Sequence, residues 1–62
     1  MEGLSLEAAM ERLNERERFI IQLRFFEGKT QMEVASQVKI SQAQVSRLEK
    51  NALKTMRQYL AG

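Results

Sequence analysis

Thr30-Gln-Met-Glu-Val-Ala-Ser-Gln-Val-Lys-Ile-Ser-Gln-Ala-Gln-Val-Ser-Arg-Leu-Glu-Lys50 decides how this chain is read. It holds two S/T-x-x-E/Q pairs, Thr30 with Glu33 and Ser41 with Gln44, each the mark of a capped helix start. Only about two turns fit between the first start and the second, so the stretch predicts two helices joined by a very short turn. Ala35 and Val45 stand ten residues apart, one on each helix. A small side chain at the first lets the helices approach, the branched one at the second locks them at a steep angle, and Ile40 plugs the turn. Two abutting helices, the second with a polar outer face, form the geometry that lays a helix in the DNA major groove.

The turn carries Lys39 where glycine is the comfortable residue. In the left-handed region a lysine costs about 1 kcal/mol relative to glycine.

Outward from this pair, the chain has no proline, and glycine stands only at 3, 28 and 62. Strands find no alternating pattern, and the chain reads as all-α with four helices. Leu6, Ala9, Met10 and Leu13 form one apolar stripe behind Ser5 as N-cap, a helix over about 6–13. A second helix starts after Asn14, whose partner is Glu17, and runs to about Phe26, where Gly28 ends it. Phe19, Ile20, Leu23 and Phe26 are its expected stripe, and Ile21 with Phe25 adds a second face. So much apolar surface predicts either a central helix wrapped by the others or a face kept for a partner. The third helix spans about 31–38, with Met32, Val34, Ala35 and Val38 apolar, and the fourth runs from 42 to about 60 with fraying last turns. Its inward stripe is Val45, Leu48, Ala52, Met56 and Tyr59.

Sixty-two residues make a single small domain, 5–28 as scaffold and 30–60 as the helix-turn-helix, with no winged elements. Met1 leads straight into a helical pattern, which reads as the edge of a piece cut from a longer protein. The chain has neither cysteine nor histidine, so it offers no disulfide and no Cys/His zinc set. No nucleophile–base pair, metal set or phosphate loop marks an enzyme, and nothing calls for a cofactor or a small-molecule substrate. No apolar run approaches the ~18 residues of a membrane span. The net charge of +2 divides unevenly: residues 1–28 carry four Arg against six Glu, and residues 29–62 four Lys and two Arg against two Glu. The basic charge lies in the half with the helix pair, where a polyanion is drawn.

At about 100° per residue, a wheel centred on Val45 puts Ala43, Ser46, Arg47, Lys50 and Lys54 on the far side, with Gln42, Gln44 and Asn51 flanking. Arg47 is the candidate reader of guanine through its planar fork, Gln42 of adenine by the same two-point logic, and Ala43 of a thymine methyl. Ser46 can donate or accept, while Gln44 is claimed by its cap. Lys29, Lys50, Lys54, Arg16, Arg24 and the start of the third helix at Thr30 are candidates for phosphate. Arg16 has the alternative of pairing with glutamates of its own helix. Glu49 lies toward the core, a structural residue placed to pair with an arginine of the second helix.

These residues resemble region 4 of bacterial sigma factors of the sigma-70 family, over about residues 5–60. Leu13-Asn-Glu-Arg-Glu-Arg18 with Leu23-Arg-Phe-Phe26 looks like its first part, and Lys29-Thr-Gln-Met-Glu-Val-Ala35, Ile40-Ser-Gln-Ala-Gln-Val-Ser-Arg-Leu-Glu-Lys50 and Ala52-Leu53 like its helix-turn-helix. The strings are most similar to the sporulation sigma-F/sigma-G type, with the general-stress sigma-B type next. The resemblance implies recognition of the promoter −35 element within bacterial cytoplasmic RNA polymerase. It implies base reading by Gln42, Ala43 and Arg47, and phosphate contact by Arg16, Arg24 and Thr30. It also implies docking on the flap of the polymerase β subunit, and capture by an anti-sigma factor. Met10, Leu13, Ile21 and Phe25 are the candidate partner-protein surface. Relatives usually have glycine where this chain has Lys39. The chain lacks the preceding regions that bind the −10 element, so alone it does not initiate transcription.

Two other readings compete. LuxR-type response-regulator output domains also pack four helices behind Leu-x-x-Arg-Glu-Arg, but look for Thr-Val-Lys-x-His where this chain has Ser41-Gln-Ala-Gln-Val-Ser46. A protein-interaction fragment without DNA readout would account for the broad apolar face of the second helix. A membrane-surface helix fits poorly, because residues 42–60 have neither a dense cationic face nor Trp or Phe on the apolar one.

Overall fold

Local capping sets where each helix begins. In the computed structural model, which describes residues 5–61, α1 covers Leu6–Met10, α2 Glu15–Ile21, α3 Gln31–Val38 and α4 Gln42–Ala61. Ser5 Oγ accepts from the Ala8 amide, and Asn14/Glu17 and Thr30/Glu33 form complete capping boxes. Ser41 Oγ accepts from the Gln44 amide at 3.1 Å, opening α4 directly behind α3. Starts therefore fall where the polar pairs predict.

The ends depend on more than caps. α1 stops at Met10 rather than Leu13, because the Arg12 and Leu13 amides reach back three residues, to Ala9 and Met10. That tighter turn brings Asn14 to the extended backbone its cap requires. α2 does not stay α-helical to Phe26: Gln22–Phe26 is a π-helical segment, closed by the Glu27 amide on the Gln22 carbonyl at 3.1 Å. Gly28, at φ 72°, then turns the chain, and the Lys29 amide returns to the Leu23 carbonyl at 3.0 Å. α4 runs through to Ala61 where fraying was expected. The Arg12 guanidinium lies 4.7 Å from the centre of the Tyr59 ring, tying the turn after α1 to these last turns.

The core divides into two clusters threaded by α4. Ile20, Leu23, Val34, Ala35 and Val45 join α2 and the π segment to α3 and the start of α4, with Val38, Ile40 and Leu48 at the edge. Ala9, Leu13, Ile21, Ala52 and Met56 join α1, α2 and the second half of α4. The adjacent Ile20 and Ile21 enter different clusters, so α2 is the central helix that the wrapped arrangement requires. Full burial of an aliphatic side chain such as Ile20, Leu23, Val34 or Val45 stabilises by about 1.5–3 kcal/mol.

The apolar stripes need correction. Phe19 and Phe26, read as inward, are exposed, as are Leu6 and Met32; Met32 is 68% accessible. Ile20, Ile21 and Leu23 are the residues that α2 and the π segment send into the two clusters. The π segment also turns Phe25 and Phe26 out of α-helical register. No helix of the described residues is long and apolar enough to cross a membrane.

Lys39 closes α3 in the left-handed region, at φ 67° and ψ 45°, and its amide and that of Ile40 both donate to the Ala35 carbonyl at 2.8 and 3.1 Å. It is the one non-glycine with positive φ among the described residues. Lys39→Gly is expected to stabilise by about 1 kcal/mol, a rise of roughly 4–8 °C in a domain this small. Thermal melts followed by circular dichroism check it; an unchanged or lower midpoint means that lysine sits without strain.

Candidate nucleic-acid interface

Val45 is completely buried, and this fixes the rotation of α4 about its axis. The opposite face is then solvent: Gln42, Ala43, Gln44, Arg47, Lys50, Asn51 and Lys54 are all exposed. Ser46 is half-buried at the edge of that face. The structure thus gathers the sequence-derived base readers and two of the phosphate candidates along one side of one helix. Arg47, Lys50, Lys54 and Arg57 are cations of α4, and Glu49 is its one acid. Arg57, exposed further along the helix, was not singled out from the sequence.

Glu49 is neutralised within the fold. Its Oε1 accepts from Arg24 Nε at 2.8 Å and from Gln31 Nε2 at 3.3 Å. Arg24 Nη1 also donates to the Lys29 carbonyl at 2.8 Å. One guanidinium therefore ties the π segment, the loop before α3 and the middle of α4. The expected structural pairing of Glu49 with an arginine of the second helical stretch is present. Gln31 was not foreseen in this network, since nothing in its spacing points across to Glu49. Nε–H and one N–H of Nη1 are engaged, which leaves Arg24 the second N–H of Nη1 and both of Nη2 for a phosphate.

The start of α3 is less open than the sequence predicts. Thr30 Oγ1 accepts from the Glu33 amide at 3.1 Å, and the Thr30 amide donates to Glu33 Oε1 at 2.8 Å. The Glu33 carboxylate thus occupies the Thr30 amide, where the macrodipole would otherwise hold an anion. The Thr30 hydroxyl faces the same carboxylate, so it meets a phosphate only by turning away from Glu33. Lys29 is half-buried beside it. Arg16 stands exposed on α2 and does not pair with glutamates of its own helix: among the described residues Arg24–Glu49 is the one ion pair. Arg18, unassigned in the sequence, donates from Nη2 to the Leu13 carbonyl at 3.2 Å and serves the α1–α2 junction.

The candidate partner-protein residues separate. Leu13 and Ile21 are 3% and 2% accessible and belong to the core, which corrects their assignment as a docking surface. A residue buried by its own domain has no area left to offer a partner. Phe25 is exposed, and Met10 is half-buried. An open apolar cleft of about 330 Å³ lies between Leu6, Phe25, Phe26, Leu53 and Met56, with Ile21 as its floor. A second cleft, against Met10, shares Leu6 and Phe26 with it. Leu6 and Phe26 were missed here because a stripe in the sequence does not tell which of its members the core leaves out, and Leu53 because it stands outside the stripe read for the fourth helix.

The Thr30 amide, chiefly, holds the Glu33 carboxyl below its ordinary value of 4.5; desolvation opposes the shift, and the Thr30 hydroxyl and Lys29 add to it. A lowered carboxyl contributes stability above the ordinary value and loses it as pH falls through the lower, folded-state value. The melting-temperature gap between the unsubstituted chain and Glu33→Gln should therefore be open at pH 7 and narrow as the pH is taken below 4.5. A gap constant down to pH 3 would show that the carboxylate's charge does not matter to the cap.

Residues 9–58 match the family model described as Sigma-70, region 4. The chain is 55% identical over 60 residues to the RNA polymerase sigma-G factor of Clostridium acetobutylicum, covering 97% of this chain and 23% of that relative. It is 62% identical over 56 residues to the RNA polymerase sigma-G factor of Bacillus subtilis, with coverage of 90% and 22%. To the RNA polymerase sigma-F factor of Priestia megaterium it is 49% identical over 57 residues, with coverage of 92% and 22%. The chain thus spans less than a quarter of the length of these curated relatives. No solved structure matches it. The chain belongs to the sigma-70 region 4 family.

Proposed function

We propose that this member of the sigma-70 region 4 family is the part of a sigma factor that reads the promoter −35 element, with α4 in the DNA major groove. The observation that carries the reading is the exposed face of α4, which runs from Gln42 to Lys54 opposite the buried Val45, Ala52 and Met56. A helix so mounted presents its first turns to base edges and its later cations to the strands beside them. Gln42, Ala43, Ser46 and Arg47 read bases; Lys50 and Lys54 meet phosphates. Lys29, Arg16 and the free η N–H groups of Arg24 contact the flanking backbone, joined by the Thr30 hydroxyl when it turns from Glu33. The Arg24–Glu49 pair keeps the one acid of α4 from repelling the DNA.

A second contact completes the proposal. The apolar cleft of Leu6, Phe25, Phe26, Leu53 and Met56 takes an apolar segment of the polymerase core, the flap of the β subunit, and an anti-sigma factor that covers it competes for the same face. What supports this is exposed aromatic area that the core leaves uncovered: Phe25 and Phe26 are 54% and 57% accessible.

Selection from random duplexes followed by titration tests the DNA reading. Arg47→Ala should cost ~1–3 kcal/mol at one base pair and relax preference there; equal loss on every sequence would mean that Arg47 touches only phosphate. For the cleft, Phe26→Ala should reduce retention on RNA polymerase core while affinity for the selected duplex stays the same. Undiminished retention would move the docking surface elsewhere.

A further inference from the structure

We infer that Lys39, a strained residue to which no role has been assigned so far, is a phosphate contact at the rim of the groove that α4 enters; this rests on the DNA reading above. Three observations converge on it. First, the residue holds a left-handed backbone, φ 67°, that glycine or asparagine adopts more easily. Second, its side chain gives the fold nothing in return. Lys39 is exposed, and among the described residues its ammonium has no ion pair and no hydrogen bond. The two acids of residues 29–62 are engaged elsewhere, Glu33 with Thr30 and Glu49 with Arg24 and Gln31.

The third observation is position. Lys39 closes α3, Ser41 caps α4, and Gln42 and Ala43 follow at once. Three residues of chain span at most about 10 Å, so the Lys39 backbone lies within that distance of the Gln42 backbone. The major groove is about 12 Å wide and about 8.5 Å deep. When Gln42 and Ala43 are at base edges, a residue that close stands at the wall of the groove, where the phosphates are. A lysine side chain is long and flexible enough to bring its charge onto one of them. Strain held at an exposed cation with no partner inside the domain is what a residue selected for contact outside the domain looks like.

The inference predicts opposite signs for stability and binding in one substitution. Lys39→Gly and Lys39→Asn both accept the left-handed backbone and remove the charge, while Lys39→Arg keeps the charge. Equilibrium binding of the 62-residue chain to a duplex selected by it, and to a scrambled duplex, is measured by fluorescence anisotropy across 50–200 mM salt. Losing one phosphate contact lowers the slope of log K against log salt by about 0.9, a loss of about five- to tenfold near 0.1 M salt, on both duplexes alike. Lys39→Gly and Lys39→Asn should show that loss although Lys39→Gly melts higher, and Lys39→Arg should keep the slope of the unsubstituted chain. Identical slopes in all four overturn this inference alone. Failure of the unsubstituted chain to bind either duplex overturns the DNA reading and this inference with it.

Discussion

Val45 governs the direction in which this domain can act. With no accessible surface and with Ile20, Leu23, Val34 and Ala35 around it, it leaves α4 one rotational setting. Turning the helix by even one residue would replace that contact with Ser46 or Gln44 and put polar atoms into a dry cluster. Close packing therefore acts as an orientation device: the hydrophobic contact on one side of α4 decides which side chains are offered on the other. Ala35 takes part by being small, since a larger side chain on α3 would push the two helices apart and tilt the presented face.

The domain reconciles two kinds of exposed surface on few residues. α2 sends Ile20 to one cluster and the neighbouring Ile21 to the other, which makes it the common wall of both. Immediately after it, the π segment distributes Leu23, Arg24, Phe25 and Phe26 to separate tasks. Leu23 enters the core, Arg24 reaches Glu49 on α4, and the two phenylalanines line the cleft. One extra residue in the turn permits this spread, since in uninterrupted α-helix the four positions follow the register of α2. The polar surface of α4 and the apolar cleft are thus built from one continuous stretch of backbone. Arg24 links the two by bonding Glu49 of α4 and lying 5.8 Å from the centre of the Phe25 ring.

Charge is arranged as economically as packing. The capping carboxylate of Glu33 completes a helix start, and the carboxylate of Glu49 anchors an arginine, so neither acid of the basic half points an unmatched negative charge at an approaching polyanion. The cations on the same half are treated differently: Arg47, Lys50, Lys54 and Lys39 stay exposed and outside every ion pair among the described residues. A half that keeps both its acids bound and these four bases unpaired has its electrostatic work directed outward.

Much of this was legible in the residues alone. The capping pairs Asn14/Glu17, Thr30/Glu33 and Ser41/Gln44 located helix starts because a cap is a local hydrogen bond between residues three apart. The strings from Lys29 to Lys50 located the family, and the wheel centred on Val45 located the outward face, because helical periodicity is local too. What tertiary structure alone decided was which members of each apolar stripe the two clusters admit. Leu13 and Ile21 went inside while Leu6, Phe19 and Phe26 stayed out, and the π segment and the addition of Gln31 to the foreseen Glu49–arginine pair appeared only with the fold. Those outcomes depend on the volume left between helices distant in sequence, a quantity that no spacing along the chain records.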